Sequence, residues 1–398
     1  MQVCVDRTAN RFLRLLAMRS THSLLYRGAI CLIFCTTCCT NINSSLRTVH
    51  VPISLKSSAS FFDLFTKVDI IPLDDDCLVS NGLYSDPTYW TMDNECFYIL
   101  DDTKYNIVVF NQKGRFVASY PKRGNGHGEY SLAYGIYTNE MSDVLSVLDP
   151  RGKIYHYSIK DSLSFINATN LSGTLAAHSL FLSPQDTIIL SFTDDEHLKL
   201  YNADHIVNLD APNSFRLSNH YFAPQPFFCN RDSIFCYDGE TGTIYSIETS
   251  PPVVHPIYSW DFGRHTFRIK NRNFNTPKEF RKYIESGAND TVFPFLNMIY
   301  IEDTIFADVV FHNKEHTLVY NIDTGKSFFF SEMKEGVRFK TSISKKDTLY
   351  TLIEPTHLQE FVNEKILDNE NKRIMTRLQS SGHSNPVILK YTRRTNFK

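Results

Sequence analysis

Apolar and polar residues alternate along this chain in short runs, each four to six residues long and closed by turn-forming residues, which is the pattern of many short strands. Six runs open the same way, with an acidic residue, then a small or β-branched one, then the apolar stretch. They are Glu95-Cys-Phe-Tyr-Ile-Leu, Asp143-Val-Leu-Ser-Val-Leu, Asp186-Thr-Ile-Ile-Leu, Asp232-Ser-Ile-Phe-Cys, Asp303-Thr-Ile-Phe and Asp347-Thr-Leu-Tyr. Their spacings are 48, 43, 46, 71 and 44 residues. A strand-built period near 45 marks a β-propeller, one blade to a repeat.

A second strand follows each of the first five anchors at a nearly fixed offset, beginning at Ile107, Ile154, Leu198, Ile244 and Leu318. Turn compositions such as Asp149-Pro-Arg-Gly-Lys separate the two and close hairpins. Further strand candidates lie upstream, as in Tyr134-Gly-Ile-Tyr-Thr, and downstream, as in Phe116-Val-Ala-Ser-Tyr, so each blade has four strands. The sixth repeat lacks its partner after Asp347; residues 355–385 read as polar and partly helical, with an insertion over about 355–380. Pro386-Val-Ile-Leu-Lys-Tyr391 then supplies a third strand, and Val68-Asp-Ile-Ile-Pro-Leu73 is the unassigned strand that completes the blade. The expected fold is therefore all-β, a six-bladed β-propeller of four-stranded blades over residues 65–398, closed by the N-terminal strand so that no sheet edge stays open. The long spacing holds a helical insertion over 276–287, where Thr276-Pro-Lys-Glu279 forms a capping box with Pro at the first helical position and Gly287 ends the helix.

The N-terminus is of another kind. Arg7, Arg11, Arg14, Arg19 and Arg27 precede the apolar Gly28-Ala-Ile-Cys-Leu-Ile-Phe-Cys, which ends in Thr36-Thr37-Cys38-Cys39. This order describes a secretory signal over residues 1–38, and the apolar run is shorter than a bilayer span requires. Its end resembles a bacterial lipobox, with Cys38 as the acylated residue and Cys39 as the alternative; residues 39–64 then read as a polar tether. The other reading is a cleaved signal with incidental cysteines, or a single anchor helix. Five of the nine cysteines fall in this leader; Cys96 and Cys236 lie in strand patterns as small apolar residues. No CxxC pair with matching ligands supports zinc. The net charge of −2 carries no basic field, which argues against nucleic acid as a partner.

Phe97-Tyr-Ile-Leu-Asp101, Ile107-Val-Val-Phe-Asn-Gln-Lys-Gly114-Arg-Phe-Val117 and Gly124-Asn-Gly-His-Gly-Glu-Tyr130 together resemble the opening of the six-bladed β-propeller lipoproteins of Bacteroidota, relatives of the NHL-repeat propellers. Val68–Leu73 and Asn385–Tyr391 resemble that family's first strand and chain end. The resemblance runs from about residue 65 to the C-terminus; His127 stands where the family usually has Pro. It implies export and the propeller fold, and no settled reaction.

Candidate chemistry gathers on the face where loops between blades meet the turns joining second and third strands. The ligand-binding candidates there are Arg123, His127, Glu129, Tyr130, Asp101, Asp149 and Asp238, converging on a concave mouth. The glycines of the Gly124–Tyr130 loop lie between strands rather than before a helix, so they serve a tight turn and not a phosphate cradle. The acidic anchors follow the blade phase, as Asx-turns would, which outweighs a metal or glycan-attachment reading. No catalytic residue, metal set or cofactor is assigned. The sequence thus favours a lipid-anchored binding module at the cell envelope, at the outer membrane with its periplasmic or surface face left open, with a small molecule, glycan or envelope protein as partner. The alternative is a metal-dependent hydrolase or lyase working at the channel.

Overall fold

The computed structural model describes residues 46–53, 59–80, 87–139, 143–171, 177–182, 188–192, 195–202, 205–210, 225–231, 233–268 and 290–394, together with residue 282. The leader with Cys38 and the helix expected over 276–287 lie outside the described residues, save for residue 282.

The described strands form six sheets. The first runs through Trp90–Met92, Cys96–Leu100, Asn106–Asn111 and Phe116–Pro121, and the second through Gly135–Asn139, Val144–Asp149, Lys153–Ser158 and Ser164–Asn170. The third comprises Ala177–Leu182, Ile188–Phe192, Asp195–Asn202 and His205–Asn208. The fourth comprises Phe227–Asn230, Ser233–Tyr237, Ile244–Thr249 and Pro252–Asp261, and the fifth Phe295–Ile301, Thr304–Phe311, Lys314–Asn321 and Ser327–Phe330. In the sixth, Ile343–Lys345, Thr348–Ile353 and Val387–Arg393 are followed by Phe65–Pro72, from the other end of the chain. Four antiparallel strands make up the body of each sheet, and the fold is an all-β propeller with four-stranded blades.

Packing follows from the alternation within strands. The second and third strands of a blade are covered on both faces, and read as nearly continuous apolar runs such as Cys96–Leu100 and Asn106–Asn111. Their side chains meet those of the adjacent sheet. Leu100, Val109, Ile136 and Leu145 join the first sheet to the second, while Tyr237, Ile244, Ile305 and Phe311 join the fourth to the fifth. Ile299, Phe306, Leu349 and Leu389 join the fifth to the sixth, and Trp90, Phe97, Leu352 and Ile388 join the sixth to the first. Apolar burial therefore passes from the fourth sheet through the fifth, sixth and first to the second.

The N-terminal strand pairs as its sequence pattern predicts: Val68 stands opposite Tyr391, Ile70 opposite Leu389 and Pro72 opposite Val387. Gly114, in a hairpin turn of the first sheet, abuts this strand. Its φ is +79°, and a Cβ there would lie 2.0 Å from the Pro72 carbonyl oxygen, so only glycine fits. The packed domain also begins earlier than residue 65. Arg47–His50 adds a fifth, parallel strand beside Pro252–Asp261, burying Val49 and Val51. Ser60 caps the short helix Phe61–Leu64, whose Phe61 and Leu64 are buried. A tether over 39–64 was expected because these few apolar residues have no local partner; the strand they join lies 211 residues away.

The insertion near 355–380 contains the helices Leu358–Phe361 and Asn369–Ser381. Asp368 caps the second by accepting from the Asn371 N–H, and Gly382 ends it in the left-handed conformation. Asn371 is buried and ties this helix to the closing strand, its Oδ1 accepting from the Ile70 N–H at 2.7 Å.

Candidate functional site

Of the repeated acidic residues, Glu95, Asp143, Asp303 and Asp347 lie in hairpin turns between first and second strands, and Asp186 and Asp232 lie outside the described residues. Glu302 and Lys346, one residue before Asp303 and Asp347, have φ of +51°, and Asp143 itself has +49°. Asp303 accepts from Arg393, Asn321 and Thr304 and so fastens the fifth sheet to the sixth. In the first sheet the turn is made by Asp93 rather than Glu95: Asp93 Oδ1 accepts from the N–H groups of Glu95 and Cys96, both at 2.7 Å.

A second set of aspartates ends the second strands. Asp101 is buried and accepts from the N–H groups of Thr103 at 3.0 Å, Lys104 at 2.6 Å and Ser80 at 2.9 Å. Asp149, also buried, accepts from the Arg151 N–H at 2.9 Å and from the N–H and hydroxyl of Ser131. Asp238 accepts from the N–H groups of Glu240 and Thr241 and from the Thr241 hydroxyl. Each carboxylate folds its own turn, and the first two also hold the loop that enters their blade. Buried acceptors engaged in this way stabilise the backbone and offer little to a ligand.

The Arg123–Tyr130 loop is built on the same principle. Glu129 curls back so that its Oε2 accepts from the Gly126 N–H at 2.8 Å. A Cβ at Gly124 would lie 1.8 Å from that oxygen, which explains the glycine. Tyr130 is wholly buried and donates its hydroxyl to the Tyr105 carbonyl at 2.6 Å; burial pushes its phenol well above the usual range. His127 meets the Phe165 ring edge-on at 4.8 Å, and the Arg123 guanidinium lies over the Tyr105 ring at 4.9 Å. Arg123 and His127 are exposed. The seven residues expected to bind are therefore distributed over turns and a junction loop, held chiefly by local contacts.

The cavity lies elsewhere. It has a volume of about 250 Å³ and is lined by the first strands of the first, second, fourth, fifth and sixth sheets. Thr91, Thr138, Phe228, Asn297, Ser342 and Lys345 represent those strands, and none of the seven expected residues is among its described lining. The first strands are the innermost in a propeller blade, so a cavity that five of them share is axial. Thr91 and Thr138 join neighbouring blades through their hydroxyls at 2.8 Å, and Thr138 donates to the Met92 carbonyl at 3.0 Å.

A buried polar relay backs one wall. Asn297 Nδ2 donates to the carbonyl and hydroxyl oxygens of Thr341, at 2.9 and 3.0 Å. The Thr341 N–H and hydroxyl in turn both donate to Asp308 Oδ2, each at 2.9 Å. Burial raises the Asp308 carboxyl to about 7, while nearby Lys340 and the Thr341 donors draw it back down. Elsewhere in the strands, burial and the charges of Asp93 and Glu95 push the Cys96 thiol up to about 11, so it is unreactive at neutral pH. Among the described residues no three His, Cys, Asp or Glu side chains gather to hold a metal ion.

The lining had one signal in the sequence: the strands before the acidic anchors are rich in aromatic and hydroxyl side chains. No single position marks the site, because it exists only once strands more than 200 residues apart have converged.

Solved structures that share the fold include two from Bacteroides. One, from Bacteroides fragilis NCTC 9343, belongs to a protein classed provisionally as exported; it is 17% identical, covers 88% of this chain and 100% of its own, and superposes with a TM-score of 0.65. The other, a member of the DUF4221 family from Bacteroides vulgatus ATCC 8482, is 11% identical over 83% of this chain and 97% of its own, with a TM-score of 0.53. At these identities the likeness is one of fold. No curated protein matches the chain. A family profile described as a domain of unknown function, DUF4934, matches residues 46–392, beginning where the outermost parallel strand begins, and the chain belongs to that family.

Proposed function

We propose that this protein is an exported, lipid-anchored binding module whose six sheets form six blades and whose axial cavity takes a small molecule at the cell envelope. The observation that carries this reading is the cavity, lined by rings, hydroxyls and amides from five strands. Concave sites with apolar walls and a few convergent polar groups are where ligands bind. At about 250 Å³ it falls just under the usual range of drug-sized pockets, roughly 300–1,000 Å³, which favours a small molecule over an extended glycan or a protein partner. Export and anchoring rest on the basic, apolar and Thr37-Cys38 order of the leader, and the provisional export of the Bacteroides fragilis relative agrees with it. The hydrolase or lyase alternative has no observation of its own.

A thermal-shift screen of a small-metabolite library tests the reading. A ligand at a hundred times its Kd stabilises the folded state by about 2.7 kcal/mol. Hits should appear with the native protein and vanish in Ser344→Trp, which fills the cavity from an exposed lining position. Hits that persist unchanged in Ser344→Trp, with its far-UV spectrum native, overturn it.

A further inference from the structure

Two donors in the cavity wall lack acceptors, and both stand at one seam between sheets. Trp90 is wholly buried and Ser342 is 4% exposed, and both line the cavity. The Trp90 Nε1–H and the Ser342 hydroxyl have no hydrogen-bond partner among the described residues. The chain's other tryptophan, Trp260, gives the contrast: its Nε1–H donates to the Gly242 carbonyl at 2.8 Å. Trp90 opens the first strand of the first sheet, and Ser342 directly precedes the first strand of the sixth. Those two sheets pack through the cluster that holds Trp90, with Ile343 against it. Both donors therefore meet the cavity where the sixth sheet adjoins the first. Tyr137, Gln225 and Lys345 also line it, and each already has an interaction of its own.

Leaving buried donors unpaired costs free energy, which a bound molecule that accepts from them recovers. Both donors are neutral. An uncharged oxygen acceptor satisfies them, whereas a carboxylate would also bring a charge out of water into the wall. A carbonyl oxygen has two lone pairs and can take both bonds. Ile136, Phe227 and Phe228, from the second and fourth sheets, make the rest of the lining apolar. An apolar cavity of roughly 150 Å³ takes benzene. One of about 250 Å³ has room for a single ring with a short substituent. We propose that the axial cavity binds a small uncharged carbonyl compound with an aromatic or apolar body, its carbonyl oxygen directed at Trp90 and Ser342. This rests on the axial cavity being the binding site.

Two tryptophans mean two indole N–H signals in a protein labelled with heavy nitrogen at tryptophan, and Trp260→Phe identifies the signal of Trp90. Titration of the protein with acetophenone should move the Trp90 signal downfield, as a new hydrogen bond does, and leave that of Trp260 in place. Isopropenylbenzene has the same skeleton with a methylene in place of the carbonyl oxygen. It should bind at least about tenfold more weakly, a difference of about 1.4 kcal/mol, and so should benzoate. Ser342→Ala should weaken acetophenone about fivefold and leave isopropenylbenzene unchanged. Equal binding of ketone and alkene overturns the proposal, as does tighter binding of benzoate, binding of none of the three, or a Trp90 signal that acetophenone does not move. If Ser342→Ala fails to fold, the ranking of the probes and the indole signal of the native protein still decide. Failure is separable from failure of the site itself. Library hits lost in Ser344→Trp without preference for the ketone leave the cavity in place and remove only the carbonyl class, whereas hits that survive Ser344→Trp remove both.

Discussion

At the scale of residues, aspartates here divide into those that fold turns and one that sits in the core. Asp149→Ala would leave the Ser131 and Arg151 N–H groups without their acceptor, and should lower stability by about 1–3 kcal/mol in chemical denaturation. Asp149→Asn keeps an acceptor oxygen and should lose less. An unchanged denaturation midpoint in Asp149→Ala would contradict the turn-holding role. Asp308 carries a pH prediction. Its carboxyl is raised to about 7 in the folded protein, above the ordinary 3.8, so between these values the native state holds a proton that the unfolded state has released. Its contribution to stability therefore declines as pH rises from about 4 to about 7 and is level beyond. Asp308→Asn should flatten that decline; an identical pH profile for both proteins would show that Asp308 does not titrate in this window. The positions of Asp101, Asp149 and Asp238 could be read from sequence because an Asx-turn is local chemistry, visible within four residues. Their engagement could not, since the Ser80 and Ser131 groups they hold become partners only when the entering loop lies over the turn.

At the scale of elements, the closing strand is the joint on which the fold depends. Phe65, Val68, Ile70 and Leu73 are all buried, and each such side chain contributes roughly 1.5–3 kcal/mol. Their sum is comparable with the net stability of a whole domain, about 5–15 kcal/mol. Removing residues 1–45 should leave the melting temperature unchanged, whereas removing residues 1–75 should abolish cooperative melting or lower it by far the most. Equal melting temperatures for the two truncations would contradict closure by Phe65–Pro72. This pairing was readable because Val68–Leu73 was a strand without a blade and Asp347–Ile353 a blade without its strand. The parallel strand Arg47–His50 was not, for its four residues alternate weakly and its partner begins at Pro252.

At the scale of the whole molecule, the leader and the cavity make independent predictions. Cys38→Ser, combined with replacement of Cys39, should release the protein from membranes into the soluble fraction; continued membrane association would contradict lipid anchoring. The cavity bears on what the molecule is for, and it separates two places where binding could occur: the axis, where first strands converge, and the loop rim, where Arg123 and His127 are exposed. The direct test is titration of one small-molecule hit against the native protein, Ser344→Trp, and the double variant Arg123→Ala/His127→Ala. Binding lost in Ser344→Trp and kept within about threefold in the loop variant, well under the 1.4 kcal/mol that a tenfold change represents, is the predicted result. Binding kept in Ser344→Trp and lost in the loop variant would place the site at the rim and contradict the axial assignment.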